Sequence, residues 1–426
     1  MAPFLSFFQI SLHKNLLSFF FTYVQLEDIK EKAKKLAKYK LCDACLGRQF
    51  AKIEHGISNR ERGKRIREML GLEKVDESEC WLCDGLMNEI EKFADLVIDA
   101  LKDYEFNTFL VGCKVDEEIL RKEKEIETPY AESIKREINR EVGKIVAKKL
   151  DKPADFKEPD IVALINTLYD VVELDVRPIY IYGRYRKLVR GIPQTKWYCR
   201  KCYGKGCEYC NYKGKMYEES VEELIAKKAL EAFEAEDESF HGAGREDIDV
   251  LMLGNGRPFI LELKEPRKRN VDLKELEKQI NEYAKGKVEV TGLRYAKKEE
   301  IEKLKSAEYP KIYRVVIKFR EKGKINEAVN ALRGRIISQR TPKRVAHKRE
   351  DKIRYKKIID IKIEDLKMNE ATLIIKAESG TYIKELITGD EGRTTPSLAE
   401  LAGVDMKVEK LDVIGIGDKN EEIEGI

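Results

Sequence analysis

The stretch FHGAGREDIDVLMLGNGRPFILELKEPRKR, residues 240–269, holds both the strand pattern and the reactive side chains on which the fold turns. IDVLML and PFILEL alternate or run apolar on either side of GNGRP, a pattern that predicts a β-hairpin. HGAGRED then becomes a glycine-rich loop entering a central strand. Three acids crowd that loop: Glu246, Asp247 and Asp249. Two chemistries suit them. Asp249, Glu262 and Lys264 can be taken together as D…E-x-K, two carboxylates for a divalent ion and a lysine to polarise a phosphate, the set of a metal-dependent nuclease. Alternatively Asp247 is a lone nucleophile, presented by Gly244 and Arg245 at the edge of the sheet.

Working outward, IYRVVIKF, ATLIIKAE and KLDVIGIG read as later strands, with helices over Leu273–Ala284 and Asn326–Leu332. Upstream, Glu218–Ala235 is an amphipathic helix. Towards the N-terminus, Leu26–Tyr39, Asn59–Leu72 and Leu86–Leu101 carry helical spacing. NTFLVGCKV and PDIVALIN read as short buried strands, separated by a helix over Tyr130–Leu150 with Ile134, Ile138, Val142 and Val146 on one face. With a further strand at VRPIYIYG they make a small α/β domain.

Eight of the nine cysteines form four C-x-x-C pairs, Cys42/Cys45, Cys80/Cys83, Cys199/Cys202 and Cys207/Cys210. Two thiolates three residues apart can face one ion from a tight turn, and two such knuckles complete the four-coordinate shell that zinc prefers. Pairing by neighbourhood gives one structural zinc site from Cys42, Cys45, Cys80 and Cys83, and a second, a compact ribbon, from Cys199, Cys202, Cys207 and Cys210. Disulfides are the competing use. Four Cys ligands leave no open position for catalysis. Cys113, in an apolar run, reads as a core thiol.

At about 150 residues per domain, 426 residues suggest roughly three domains. Lys and Arg number 82 against 78 Asp and Glu, so an RNA footprint must appear as local clustering, not as net charge. Two clusters occur. Residues 183–205 carry eight Lys or Arg and no acid, with Tyr185, Trp197 and Tyr198 interleaved; residues 333–357 carry eleven basic residues against two acids. Solvated basic surface is the alternative for the first, against which the lack of acids counts; the second is too basic for a core and too long for a tight hairpin. The dense mixed charge also fits a thermophile. Residues 1–25 are apolar and aromatic but interrupted, too short of apolar residues for a spanning helix, and read as an atypical extension ahead of a cytoplasmic protein.

GRED followed by alternating apolar residues resembles the catalytic loop of pseudouridine synthases, with Asp247 at the aspartate. KIYRVVIKF resembles the strand whose tyrosine stacks on the target uracil, and SGTYIKELITGDEGRT resembles the G-T-Y-I-R/K motif of the T-loop synthases. LCDACLGRQFAKIEHG, SIKREINREVGK, RGIPQT-x-W, GNGRPF and QRTPKRVAHKRED are similar to segments of one family, the archaeal and eukaryotic tRNA pseudouridine synthases with a THUMP-containing, zinc-binding N-terminal region. The resemblance covers about residues 26–420.

The fold it implies is α+β: an N-terminal zinc-binding THUMP-containing α/β domain over residues 26–182, a basic linker with the four-cysteine zinc ribbon over 183–215, and over 216–426 a catalytic domain built on a mixed, mainly antiparallel sheet. The activity it implies is isomerisation of uridine to pseudouridine at nucleotides 54 and 55 of the TΨC loop of tRNA. No cofactor serves the chemical step, zinc is structural, and neither a membrane nor an obligatory protein partner is expected. In the roles it implies, Asp247 is the nucleophile, Tyr313 the stacking ring and Lys384 the partner of the aspartate. Ile383 and Leu411 line the pocket; Arg245, Arg340, Arg344 and Arg349 hold RNA, the last three from a mobile loop. Taken singly, Tyr313 could be core packing and Lys384 a surface ion pair. A THUMP-bearing methyltransferase or thiolation enzyme would need a glycine-rich cofactor loop after a strand, and a non-catalytic zinc-ribbon RNA-binding protein leaves the GRED, IYR and GTYIK set without a purpose.

Overall fold

The computed structural model describes residues 27–417 other than 54, 322 and 348, and the atypical extension expected at 1–25 lies outside the described residues. The chain divides between Arg177 and Pro178 into two compact units.

In the first unit, Ile134, Ile138, Val142 and Val146, one helical turn apart, give the helix Ile134–Leu150 a wholly buried stripe. Ser133 caps it by accepting from the Arg136 amide, and Asp151 closes it in the left-handed region. That stripe packs with the helix Ile90–Leu101 on a three-stranded sheet of β1 (Phe109–Lys114), β2 (Ile161–Asn166) and β3 (Val171–Val176), parallel between β1 and β2 and antiparallel between β2 and β3. The sheet's third strand is thus VVELDV. Cys113, on β1, is buried in this core, and burial pushes its thiol up to about 11.

The strand expected there, VRPIYIYG, instead begins the second unit as β4 (Ile179–Lys187), which pairs antiparallel with both β6 (Leu251–Lys264) and β7 (Val288–Ala296). The other strands are β5 (Asp237–Gly242), β8 (Lys311–Phe319), β9 (Ile336–Arg340), β10 (Ile353–Leu366), β11 (Glu370–Ala377), β12 (Thr394–Thr395) and β13 (Met406–Ile416). They form one ten-stranded sheet in the order β12-β9-β10-β11-β8-β13-β6-β4-β7, with β5 on the remaining part of β6. Only β13 and β6 run parallel; the sheet is mixed and mainly antiparallel, as expected. One large core joins the sheet to the helices Val221–Phe233, Leu273–Tyr283 and Ile325–Leu332.

Two expectations fail here. GNGRP makes no hairpin, because β6 runs through it as one strand. Opposite β4, the register passes from Tyr185↔Arg257 to Lys187↔Met252, so the extra residues bulge out. Gly254 and Gly256 have positive φ, and a Cβ on Gly254 would lie 1.9 Å from the Ile414 carbonyl; the glycines serve a close strand approach, not a turn. Nor is 333–357 simply a mobile loop. Ile336–Arg340 pairs residue for residue with Ile353–Lys357, leaving 341–352 as the connection between two strands.

Candidate active site

The three acids that crowd one loop in sequence meet three environments. Glu246 is buried: its carboxylate accepts from the Tyr185 hydroxyl at 2.9 Å and from Arg257 Nε at 2.8 Å. Asp249 is 68% exposed and pairs with Lys384 at 3.0 Å. Burial pushes its carboxyl up, and the Lys384 ammonium outweighs that and holds it below its ordinary value. Asp247 lies between these extremes, 43% exposed, with Oδ2 3.0 Å from Arg344 Nη1 and 3.5 Å from Lys384 Nζ. Arg344 is itself held by the buried Glu385 at 2.7 Å. One reachable carboxylate is therefore oriented by two cations from two different segments.

The backbone under it is fastened by buried donors. Arg257 Nη1 donates to Ala243 O at 2.8 Å, Gln194 Nε2 to Gly244 O at 3.0 Å, and Lys187 Nζ to the carbonyls of Asp247 and Ile248 at 3.2 and 3.1 Å. Arg190 adds a bond to Asp249 O at 2.5 Å. Five carbonyls satisfied in this way, together with the buried Glu246 carboxylate, define the loop. Gly244, at φ +81°, is the residue the approach demands: a Cβ there would sit 3.1 Å from Lys311 Nζ and 3.2 Å from Arg257 Nη1.

Tyr313 is 8% exposed on β8, opposite Val413 of β13 and Ile375 of β11. Burial pushes its hydroxyl up to about 12, against the pull of the Arg257 charge, so it stays protonated in neutral water. Ile383, buried, opens the helix Ile383–Thr388 and brings Lys384 to the acids; Leu411 is half-buried on β13. Arg245 is exposed. Arg340 pairs with Asp351 at 2.6 Å, and Arg349 donates to the Tyr382 hydroxyl at 3.1 Å.

Neither basic cluster is simply an RNA surface. Arg184, Lys187 and Arg190 of the first donate to backbone carbonyls, and Tyr185 is fully buried. Of its aromatic residues Tyr198 and Tyr203 are exposed, whereas Trp197 is half-buried.

Lys311 is a neighbour of the site that motif reading passed over. It sits two residues before Tyr313, hence on the same face of β8. Burial, reinforced by Arg257 and partly opposed by Glu246, lowers its ammonium to about 8. Between pH 8 and the ordinary lysine value of about 10.4, the unfolded chain binds a proton here that the folded chain does not. The unfolding free energy should therefore rise with pH across that window. Lys311→Met should lack this increment when urea unfolding curves of the two proteins are compared; an identical pH slope in both would contradict it.

Asp249, Glu262 and Lys264 do not converge. Glu262 pairs with His241 at 3.0 Å and Lys264 with Asp237 at 2.8 Å. Glu262 stands opposite Tyr180 on β4, whereas the Asp249 end of the strand stands near Lys187; seven strand residues span about 20 Å or more. No single ion can bridge that distance, so the two-carboxylate nuclease set does not exist in the folded chain.

The eight paired cysteines gather as expected, in two groups whose ligand atoms lie within 4.8 Å of one another. Sulfurs about 2.3 Å from a central ion at tetrahedral corners are about 3.8 Å apart. Cys42 and Cys83 stand 3.9 Å apart, and Cys199–Cys207, Cys202–Cys210 and Cys207–Cys210 each 3.8 Å. A disulfide needs about 2.05 Å, and all nine cysteines are free. Backbone amides point at the sulfurs, Cys42 N to Cys80 Sγ at 3.2 Å and Gly214 N to Cys210 Sγ at 3.2 Å, as thiolates require. Arg48, fully buried, places Nη2 3.3 Å from Cys45 Sγ and pairs with Glu137 at 2.7 Å. Both groups suit a four-thiolate metal site. Among the described residues no helix is long and apolar enough to cross a membrane.

Comparison with known proteins agrees with this geometry. Residues 180–417 match the family described as Pus10, C-terminal, and residues 93–166 match the archaeal Pus10 THUMP domain. The protein named tRNA pseudouridine synthase Pus10 of Methanothrix thermoacetophila is 43% identical over 416 residues, covering 88% of this chain and 92% of the relative. Its namesake of Methanopyrus kandleri is 44% identical over 423 residues, covering 90% and 97%. A solved Cbf5–Nop10–Gar1 complex, at 15% identity and a TM-score of 0.31 over 55% of this chain and 49% of that one, is too distant to add to the argument. With most of its length matched at this identity, and with the two family domains in this order, the chain belongs to the Pus10 family of tRNA pseudouridine synthases.

Proposed function

We propose that this chain converts uridine to pseudouridine at nucleotides 54 and 55 of the TΨC loop of tRNA, with Asp247 as the reacting carboxylate. One observation carries the assignment: a partly exposed aspartate, oriented by Arg344 and Lys384, on a loop whose carbonyls are fastened by buried Arg257, Gln194 and Lys187. The isomerisation breaks the C1′–N1 bond, forms C1′–C5, and moves a proton from C5 to N1. A flipped uridine must first reach the carboxylate. Asp247 then either attacks C1′ or initiates a glycal route, and both use the anion. Lys384 and Arg344 hold it in place. Tyr313, neutral and buried at its hydroxyl end, offers its ring to the loose uracil, with Ile383 and Leu411 as apolar walls. Exposed Arg245, with Arg340 and Arg349, meets phosphates; Arg344, expected among them, is better used on the aspartate.

Incubating the protein with an unmodified tRNA transcript and mapping pseudouridine tests this directly. Modification at both positions is expected. Modification elsewhere, or none with tRNA bound, would reject the site assignment.

We further infer structural zinc in both four-cysteine groups; in the first the metal would cross-link segments as far apart as Cys42 and Cys83. Native mass spectrometry should find two zinc ions per chain. Cys42→Ser should remove one and unfold the first unit, because metal binding at such sites is folding free energy; a stable variant that keeps both ions would overturn the inference.

A further inference from the structure

The ribbon of Cys199, Cys202, Cys207 and Cys210 carries four tyrosines whose rings face water: Tyr198 is 59% exposed, Tyr203 81%, Tyr209 53% and Tyr212 73%. Large aromatic side chains normally contribute their area to cores or interfaces, and these four contribute to no core. Two of them are also held in a backbone conformation that aromatic residues avoid. Tyr203 follows the second cysteine of its knuckle at φ +50°, and Tyr212 follows the second cysteine of the other knuckle by two residues at φ +60°. Glycine or asparagine takes that conformation with less strain. Asn211, just before Tyr212, does so at φ +50°. The knuckle turns hold both tyrosines in it, Tyr203 N donating to Cys199 O at 2.9 Å and Tyr212 N to Cys207 O at 2.9 Å.

The surroundings match one kind of occupant. Arg200, Lys201, Lys205 and Lys213 share the ribbon with a single acid, Glu208. Lys201 Nζ lies 4.6 Å from the centre of the Tyr209 ring, and Lys196 Nζ lies 5.9 Å from that of Tyr198. Cations beside upright rings suit a ligand with flat faces and a negative backbone. The platform is also stiff. Tyr198 bridges Lys215, Met216 N donates to Trp197 O at 2.8 Å, and the Trp197 ring packs edge-on against Tyr217 at 5.4 Å. A braced backbone leaves less entropy to lose when the rings bind.

We propose that the ribbon is a stacking platform for unpaired nucleotides of the RNA substrate, with Tyr203 and Tyr212 as its principal rings and the neighbouring lysines and Arg200 on the phosphates. The proposal rests on the reading of this chain as a tRNA-modifying enzyme and adds to it a second RNA contact, distinct from the one at Asp247.

The Tyr203→Asn/Tyr212→Asn double variant tests it, because asparagine suits the left-handed backbone and the ribbon should be no less stable. Stacking is worth about tenfold or more in affinity per base. The full-length variant should bind an unmodified tRNA transcript and a single-stranded oligouridylate at least about tenfold more weakly than wild type. It should bind a blunt RNA duplex equally well. The rings are uncharged, so the slope of log affinity against log salt should not change. Tyr203→Phe/Tyr212→Phe, which keeps the faces, should bind like wild type. Affinity within twofold of wild type for both the transcript and the oligouridylate, or an equal loss on the duplex, would overturn the platform. Wild-type protein that binds no RNA would instead overturn the underlying functional reading.

Discussion

Asp247→Asn should leave tRNA bound and lower pseudouridine formation by about 10⁴-fold or more, the scale seen when an indispensable nucleophile is lost. Asparagine keeps the shape of the side chain and an oxygen that can accept from Arg344 Nη1, now 3.0 Å away. The fastened loop beneath should not move, since its bonds run through backbone carbonyls and the Glu246 carboxylate, not through Asp247. Only the charge and nucleophilicity disappear. Asp249→Asn removes an exposed partner of Lys384 and should cost far less. Glu262→Gln and Lys264→Met, about 20 Å away along β6, should leave the rate nearly unchanged. Single-turnover assays with labelled tRNA, beside filter binding, separate these outcomes. A residual rate above a tenth of wild type for Asp247→Asn would remove it from the chemistry.

The contrast among Glu246, Asp247 and Asp249 shows how far the chain could be read in advance. The loop and the four cysteine pairs are local patterns with local causes, and the structure places them as expected. Which of three neighbouring acids is buried is not local. It depends on Tyr185 and Arg257, cross-strand neighbours on β4 and β6, and on Gln194, more than fifty residues upstream of the loop's last acid.

The bulge at Gly254–Gly256 misleads for the same reason. Glycines between two apolar runs look alike whether they turn the chain or let Ile414 approach. Charge misleads differently: a count of lysines and arginines cannot distinguish a cation awaiting phosphate from one already donating to a carbonyl, as Lys187 and Arg190 do. Arg344, expected on RNA, is in contact with the aspartate.

Arg257→Met should be among the most damaging single changes in the second unit, at about 3–5 kcal/mol. The Glu246 side chain is 0% exposed and that of Arg257 1%, so neither charge has water to fall back on. Without Arg257 the carboxylate retains only the Tyr185 hydroxyl, and Ala243 O loses its donor. Uncompensated charge, more than the missing pair, causes the loss. Arg257→Met/Glu246→Gln should therefore recover much of the stability, because a neutral amide can still bond Tyr185. Stability and activity then part company. The double variant restores no donor to Ala243 O beneath Gly244, so the loop carrying Asp247 stays loose, and the rate per folded molecule should remain well below wild type. Urea unfolding gives the first quantity and single-turnover kinetics the second. A double variant no more stable than Arg257→Met would show that the buried charge is not the cause, and one as active as wild type would show that the loop does not need its arginine brace.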